Sequence, residues 1–147
     1  MNAAVGRIAL RLALVAALGF HFGAWAETLK IVIEIDGKPI AATLDDTTMG
    51  REFAAMLPLT LTLTDYGNME KVAELPRKLA PRDAPRGADP DIGDIAYYPA
   101  WGKVRIFYKD LGYLDGLVKL GSIDASIAPL QVPGPLRVVI KRLEPAR

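Results

Sequence analysis

The sequence of 147 residues contains no cysteine. That one absence excludes disulfides, thiolate nucleophiles, iron–sulfur ligation and lipidated cysteines. Histidine occurs once, at His21, and serine twice, at Ser122 and Ser126. An excess of charge of either sign is missing too, since 18 basic against 17 acidic side chains leave a net charge of +1. Such a balance gives no electrostatic reason to expect a nucleic-acid partner or a charged membrane surface. What is present is apolar: 51% of residues are hydrophobic and 24% charged, enough to bury a core in one domain of this length.

Residues Met1–Ala26 carry no acidic side chain. Arg7 and Arg11 lead into an uncharged, mostly apolar run, Leu12–Ala26, which closes on Ala24-Trp25-Ala26. Small residues at Ala24 and Ala26 are what a signal peptidase accepts, so residues 1–26 read as a signal peptide and 27–147 as the mature domain. An uncleaved anchor is the alternative, but the run is short against the roughly 20 residues a span needs. The expected location is periplasmic or secreted, with no membrane association after removal of the leader. Removal takes away Arg7, Arg11 and His21 and moves the net charge to −1. With neither His nor Cys left, a His general base, a Ser-His-Asp triad and an ordinary zinc or copper site are excluded. No metal and no cofactor is expected, and Ser122 and Ser126 have no base to activate them.

Alternation dominates the rest. Leu29, Ile31, Ile33 and Ile35 share one face of a strand, and Asp36-Gly37 predicts a two-residue hairpin turn. Ile40, Ala42 and Leu44 follow as a second strand, with Pro39 marking an edge at its start. Met49, Phe53, Met56 and Leu57 fall on one stripe of a short helix, capped within Asp45–Thr48 and stopped by Pro58. Leu59, Leu61 and Leu63 alternate with threonines as a third strand. Met69–Leu75 reads as a weaker strand, and Pro76–Asp91, with four prolines, as a long ordered loop. Ile95–Pro99 and Val104–Lys109 form a hairpin, and Leu117–Ile123 and Leu136–Leu143 the last strands. About eight strands and one clear helix predict a mainly β fold, a closed or nearly closed barrel.

Three groups are chemical candidates. The carboxylates of Asp89, Asp91 and Asp94 invite a calcium reading, but Asp94 and Ala100 stand where an EF-hand loop needs Gly and Glu, so the run reads as a solvated turn. The basic loop Arg77–Arg86 reads as solvated. The aromatic hairpin is the third: Tyr98, Trp101, Arg105 and Phe107 offer an Arg beside aromatic rings, able to hold a peptide carbonyl or a carboxylate. A hairpin stiffened by aromatic pairs explains the same residues without a ligand.

The segments Met56-Leu57-Pro58, Gly93-Asp94-Ile95-Ala96-Tyr97-Tyr98-Pro99, Val104–Tyr108 and Leu120-Gly121-Ser122-Ile123, in that order, resemble the small bacterial and archaeal cyclophilin-like family. The resemblance implies a single-domain, eight-stranded cyclophilin-like barrel of unsettled function. True cyclophilins are peptidyl-prolyl isomerases, with an Arg followed by a Phe-Met-x-Gln run on one strand, and a Gln, a Trp and a His completing the pocket. Here Leu59–Asp65 has no Arg, the only Gln is Gln131, and no His follows the leader. No catalytic residue carries over. The leading expectation is a binding module for a peptide or small molecule; the alternative is a divergent peptidyl-prolyl cis-trans isomerase using Arg105.

Overall fold

The computed structural model describes residues 28–144. The expected leader, with the expected cleavage residues Ala24 and Ala26, lies outside the described residues. Among those described, no helix is long and apolar enough to cross a membrane.

Ten strands form among the described residues: β1 (Leu29–Ile35), β2 (Lys38–Leu44), β3 (Leu59–Tyr66), β4 (Glu70–Glu74), β5 (Gly87–Ala88), β6 (Asp94–Tyr98), β7 (Lys103–Phe107), β8 (Leu114–Asp115), β9 (Val118–Ile123) and β10 (Leu136–Arg142). Eight close an antiparallel barrel in the order β1-β10-β3-β4-β7-β6-β9-β2, and β5 pairs with β8 outside it. The expected fold class, a closed eight-stranded barrel with one short helix, is what forms.

The alternating residues fill the barrel. Ile31, Ile33, Ile35, Ile40, Ala42, Leu44, Leu59, Leu61, Leu63, Val138 and Ile140 are all buried in one cluster, while Thr60, Thr62 and Thr64 face outward. Asp36 and Gly37 both take positive φ, 50° and 74°, as the β1–β2 turn requires. Pro39 sits in the first half of β2, which pairs with β1 alone because the pairing with β9 starts at Ala42. At that joint the Cα of Gly121 is pressed so close that a Cβ there would lie 2.1 Å from the Thr43 carbonyl oxygen. Only glycine lets β9 close the barrel here.

Two expectations about elements need correction. The helix α1 spans Thr48–Ala54, shorter than its stripe, and Met56 and Leu57 lie past its end as half-buried residues against the core. Thr47 caps it by accepting a hydrogen bond from the Gly50 N–H. The segment 76–91 is not loop throughout, because Gly87–Ala88 pairs with Leu114–Asp115. Ahead of β5, Leu79 is buried and its N–H donates to the Tyr97 hydroxyl at 3.1 Å, which ties the segment to the barrel wall.

Candidate functional site

Alternation along β7 puts Val104 and Ile106 into the barrel and Arg105 and Phe107 onto its outer face. That outer face is covered. Phe107 packs with Ala96 and Leu117 in a second apolar cluster, which Ala88, Leu111 and Leu114 overlay. Arg105 is therefore 5% exposed, not presented at the surface. Its neighbour across the ladder is Val72, and Glu70 stands two residues along β4, on the same face. The Glu70 carboxylate accepts from Nε of Arg105 at 2.7 Å and also from Nη2, a bidentate ion pair. The guanidinium carbon lies 5.5 Å from the Tyr98 ring centroid, 5.3 Å from Trp101 and 5.5 Å from Phe107. The three aromatic residues singled out in the sequence thus converge on the guanidinium of the fourth, Arg105. Glu70, which the sequence reading missed, is the partner of that charge.

Only part of this cluster reaches solvent. Phe107 is fully buried, Tyr98 half-buried, and Trp101 43% exposed. Trp101 stands edge-on to Tyr98 at 5.1 Å and to Tyr66 at 5.3 Å. Tyr98 also walls a recess of about 420 Å3 with Pro81, Ala84, Pro85, Pro99 and Val118. Ala84, Pro85 and Val118 border a second recess of about 190 Å3 on the side of Thr48 and Met49. The two cavities adjoin over the Ala84–Pro85 ridge. The exposed pair Arg86 and Asp115, 3.4 Å apart, stands at the rim of the larger one.

A separate polar cluster plugs one end of the barrel. Lys71 follows the inward alternation of Ala73, Asp65 that of Leu63, and Tyr108 that of Ile106. Lys71 is fully buried, and its Nζ donates to the carbonyls of Val132 and Gly134, both at 2.7 Å, and meets Asp65 Oδ1 at 2.9 Å. Asp65 also accepts from the Tyr108 hydroxyl and from the Gly134 N–H. The hydrogen bond from Lys71, with those from Gly134 and Tyr108, holds the Asp65 carboxyl below its ordinary range despite burial. Burial first, then Asp65, pushes the Tyr108 hydroxyl up to about 12. All three donors of the Lys71 ammonium are satisfied, so the cluster fastens the 132–134 turn and offers no activated base.

The acidic run is divided by the fold. Asp94 is buried, accepts from the Asp91 N–H and pairs with Lys119 at 3.2 Å, while Asp89 and Asp91 are exposed. Among the described residues no three His, Cys, Asp or Glu side chains gather as metal ligands.

The barrel has known counterparts. The hypothetical protein AF2241 from Archaeoglobus fulgidus has a solution structure that is similar, with a TM-score of 0.65 at 18% identity, over 82% of this chain and 99% of that one. At that identity the likeness is one of fold. No curated protein matches the sequence. The sequence does match the profile of the Cyclophilin-like family over residues 33–141, a stretch that takes in β2 to β9 whole, the last three residues of β1, and all but the final residue of β10. The chain therefore belongs to the Cyclophilin-like family.

Proposed function

We propose that this protein is an exported binding module. It takes an extended peptide or a small molecule in the two adjoining recesses beside Tyr98. The carrying observation is the double role of the Tyr98 ring. One surface of it stacks on the Arg105–Glu70 pair, and it walls the recess of about 420 Å3. A rigidly backed aromatic wall with an exposed Trp101 beside it is the kind of surface that binds at low entropic cost. Export rests on the basic start, the apolar run and Ala24-Trp25-Ala26.

Binding is favoured over isomerisation because Arg105 is already engaged. A donor that stabilises a twisted amide has to reach the substrate in the transition state. Both Nε and Nη2 of Arg105 are held by Glu70. Arg105→Ala would leave the Glu70 carboxylate buried and alone, costing about 3–5 kcal/mol of stability. That variant therefore reports on folding before it reports on activity.

The test uses the wild-type protein and a milder variant. Trp25 leaves with the leader, so Trp101 is the single tryptophan of the mature chain and its emission reports on the site. Titration with a panel of tetrapeptides, with and without proline, is expected to shift Trp101 emission saturably. Tyr98→Leu is expected to weaken that binding by about tenfold. Exchange NMR on the proline peptides is expected to show no line broadening at micromolar protein. Catalysed exchange would overturn the non-catalytic reading. Unchanged Trp101 emission across the panel would overturn the binding reading.

A further inference from the structure

The end of the barrel covered by α1 holds a cavity of about 390 Å3, lined by Leu29, Leu44, Asp45, Asp46, Gly50, Arg51, Ala54 and Arg142. It shares no residue with the recess that Tyr98 walls and only Asp45 with the second recess, on the side of Thr48 and Met49. Its floor is apolar: Leu44 is 1% and Ala54 4% exposed, and Gly50 is buried. The floor is also fixed. A Cβ on Gly50 would lie 2.3 Å from the Asp45 carbonyl oxygen, so α1 and the end of β2 touch backbone to backbone.

The charges around this floor are unequal in status. Asp46 and Arg51 pair with each other and neutralise one another at the lip. Asp45 and Arg142 do not pair. Among the described residues the Asp45 carboxylate takes part in no side-chain hydrogen bond or ion pair, and Arg142 spends only Nη2, on the Ala54 carbonyl at 3.0 Å. That single bond orients the guanidinium and leaves its other donors unspent. The cavity is thus lined by one half-buried acid and one steered cation that form no ion pair with each other, above a hydrocarbon floor.

We propose that this cavity binds a small zwitterion, an α-amino acid or dipeptide with small apolar side chains. Its ammonium pairs with Asp45, its carboxylate with Arg142, and its side chains rest on Leu44 and Ala54. Each ligand charge replaces water on a group that has no ionic partner among the described residues. A simple anion would meet Arg142 but be repelled by Asp45; a simple cation would meet the reverse. Two charges of opposite sign on one small body satisfy both groups.

The test is NMR titration of the protein purified after expression of the full chain. The probes are L-alanine and L-alanyl-L-alanine, against the doubly capped N-acetyl-alanine methylamide. The free dipeptide is expected to shift the backbone resonances of Gly50 and Ala54 saturably. The capped analogue, of similar size and apolarity, is expected to leave them unmoved. Asp45→Asn and Arg142→Gln are each expected to weaken dipeptide binding by about tenfold. Arg142 is exposed and Asp45 half-buried, so both variants keep the barrel, which the remaining spectrum verifies. Absence of shifts at millimolar dipeptide would overturn the proposal. So would equal binding of the capped analogue, or undiminished binding by both variants. Trp101 emission is a separate readout, so failure here is distinct from failure at the Tyr98 recess.

Discussion

Lys71 carries the sharpest electrostatic constraint in the molecule, a full charge inside the barrel end held by two carbonyls and Asp65. The Asp65 pKa is lowered on folding, first by its bond with Lys71. Its stabilising contribution is therefore complete above the ordinary value of 3.8 and is lost as pH falls through the lower folded value. Asp65→Asn should cost on the order of 2–3 kcal/mol at neutral pH, because one donor of a buried ammonium loses its partner. Urea melts of the two proteins should differ by a constant amount from neutral pH down to the ordinary carboxylate range, and converge in more acid solution. Parallel curves throughout would detach Asp65 from Lys71. Tyr108 works at the other limit: its folded pKa is raised to about 12, so its contribution is present below the ordinary 10 and fades as pH rises through that folded value. Neither Lys71 nor Glu70 was legible as a buried charge. They are adjacent on β4 and point to opposite faces, so no periodicity separates them from a solvated Glu-Lys pair. Their partners, Asp65 and Arg105, are fixed by strand register alone.

At the scale of elements, legibility follows the length of the alternating run. β1, β2, β3 and β10 each run for seven or eight residues and could be read directly. β5 and β8 have two residues each and exist through their mutual pairing, so no local pattern marks them. The stripe Met49–Leu57 was real as a packing pattern but outlasted the helix that began it, since Met56 and Leu57 still touch the core after α1 ends. Face assignment on β3 is the most direct check. Leu61 is buried opposite Val138 and Thr62 is exposed opposite Arg137. Leu61→Ala should lower stability by about 2–5 kcal/mol, whereas Thr62→Ala should stay within about 0.5 kcal/mol. Similar midpoints for both variants in guanidinium would mean that β3 presents neither face to the core.

The whole molecule closes on itself, and that bears on the proposed export. A barrel has no free edge to add a strand, and here β1 is flanked on both sides by β10 and β2. Cleavage after Ala26 leaves β1 complete, because its first residue is Leu29. A cut even four residues later would remove the Leu29–Leu44 and Lys30–Thr43 pairs, and with Leu29 a wall of the α1 cavity. The position read from Ala24-Trp25-Ala26 and the start of the barrel are thus mutually consistent. Expression of the full chain in a bacterial host should yield periplasmic protein whose intact mass corresponds to a chain beginning at Glu27. Ala26→Tyr puts a bulky ring where the peptidase requires a small residue, and should leave the uncleaved chain in the membrane fraction. If the wild-type protein itself accumulates at full length in that fraction, Leu12–Ala26 is an anchor, and the proposed binding module works from a tethered barrel.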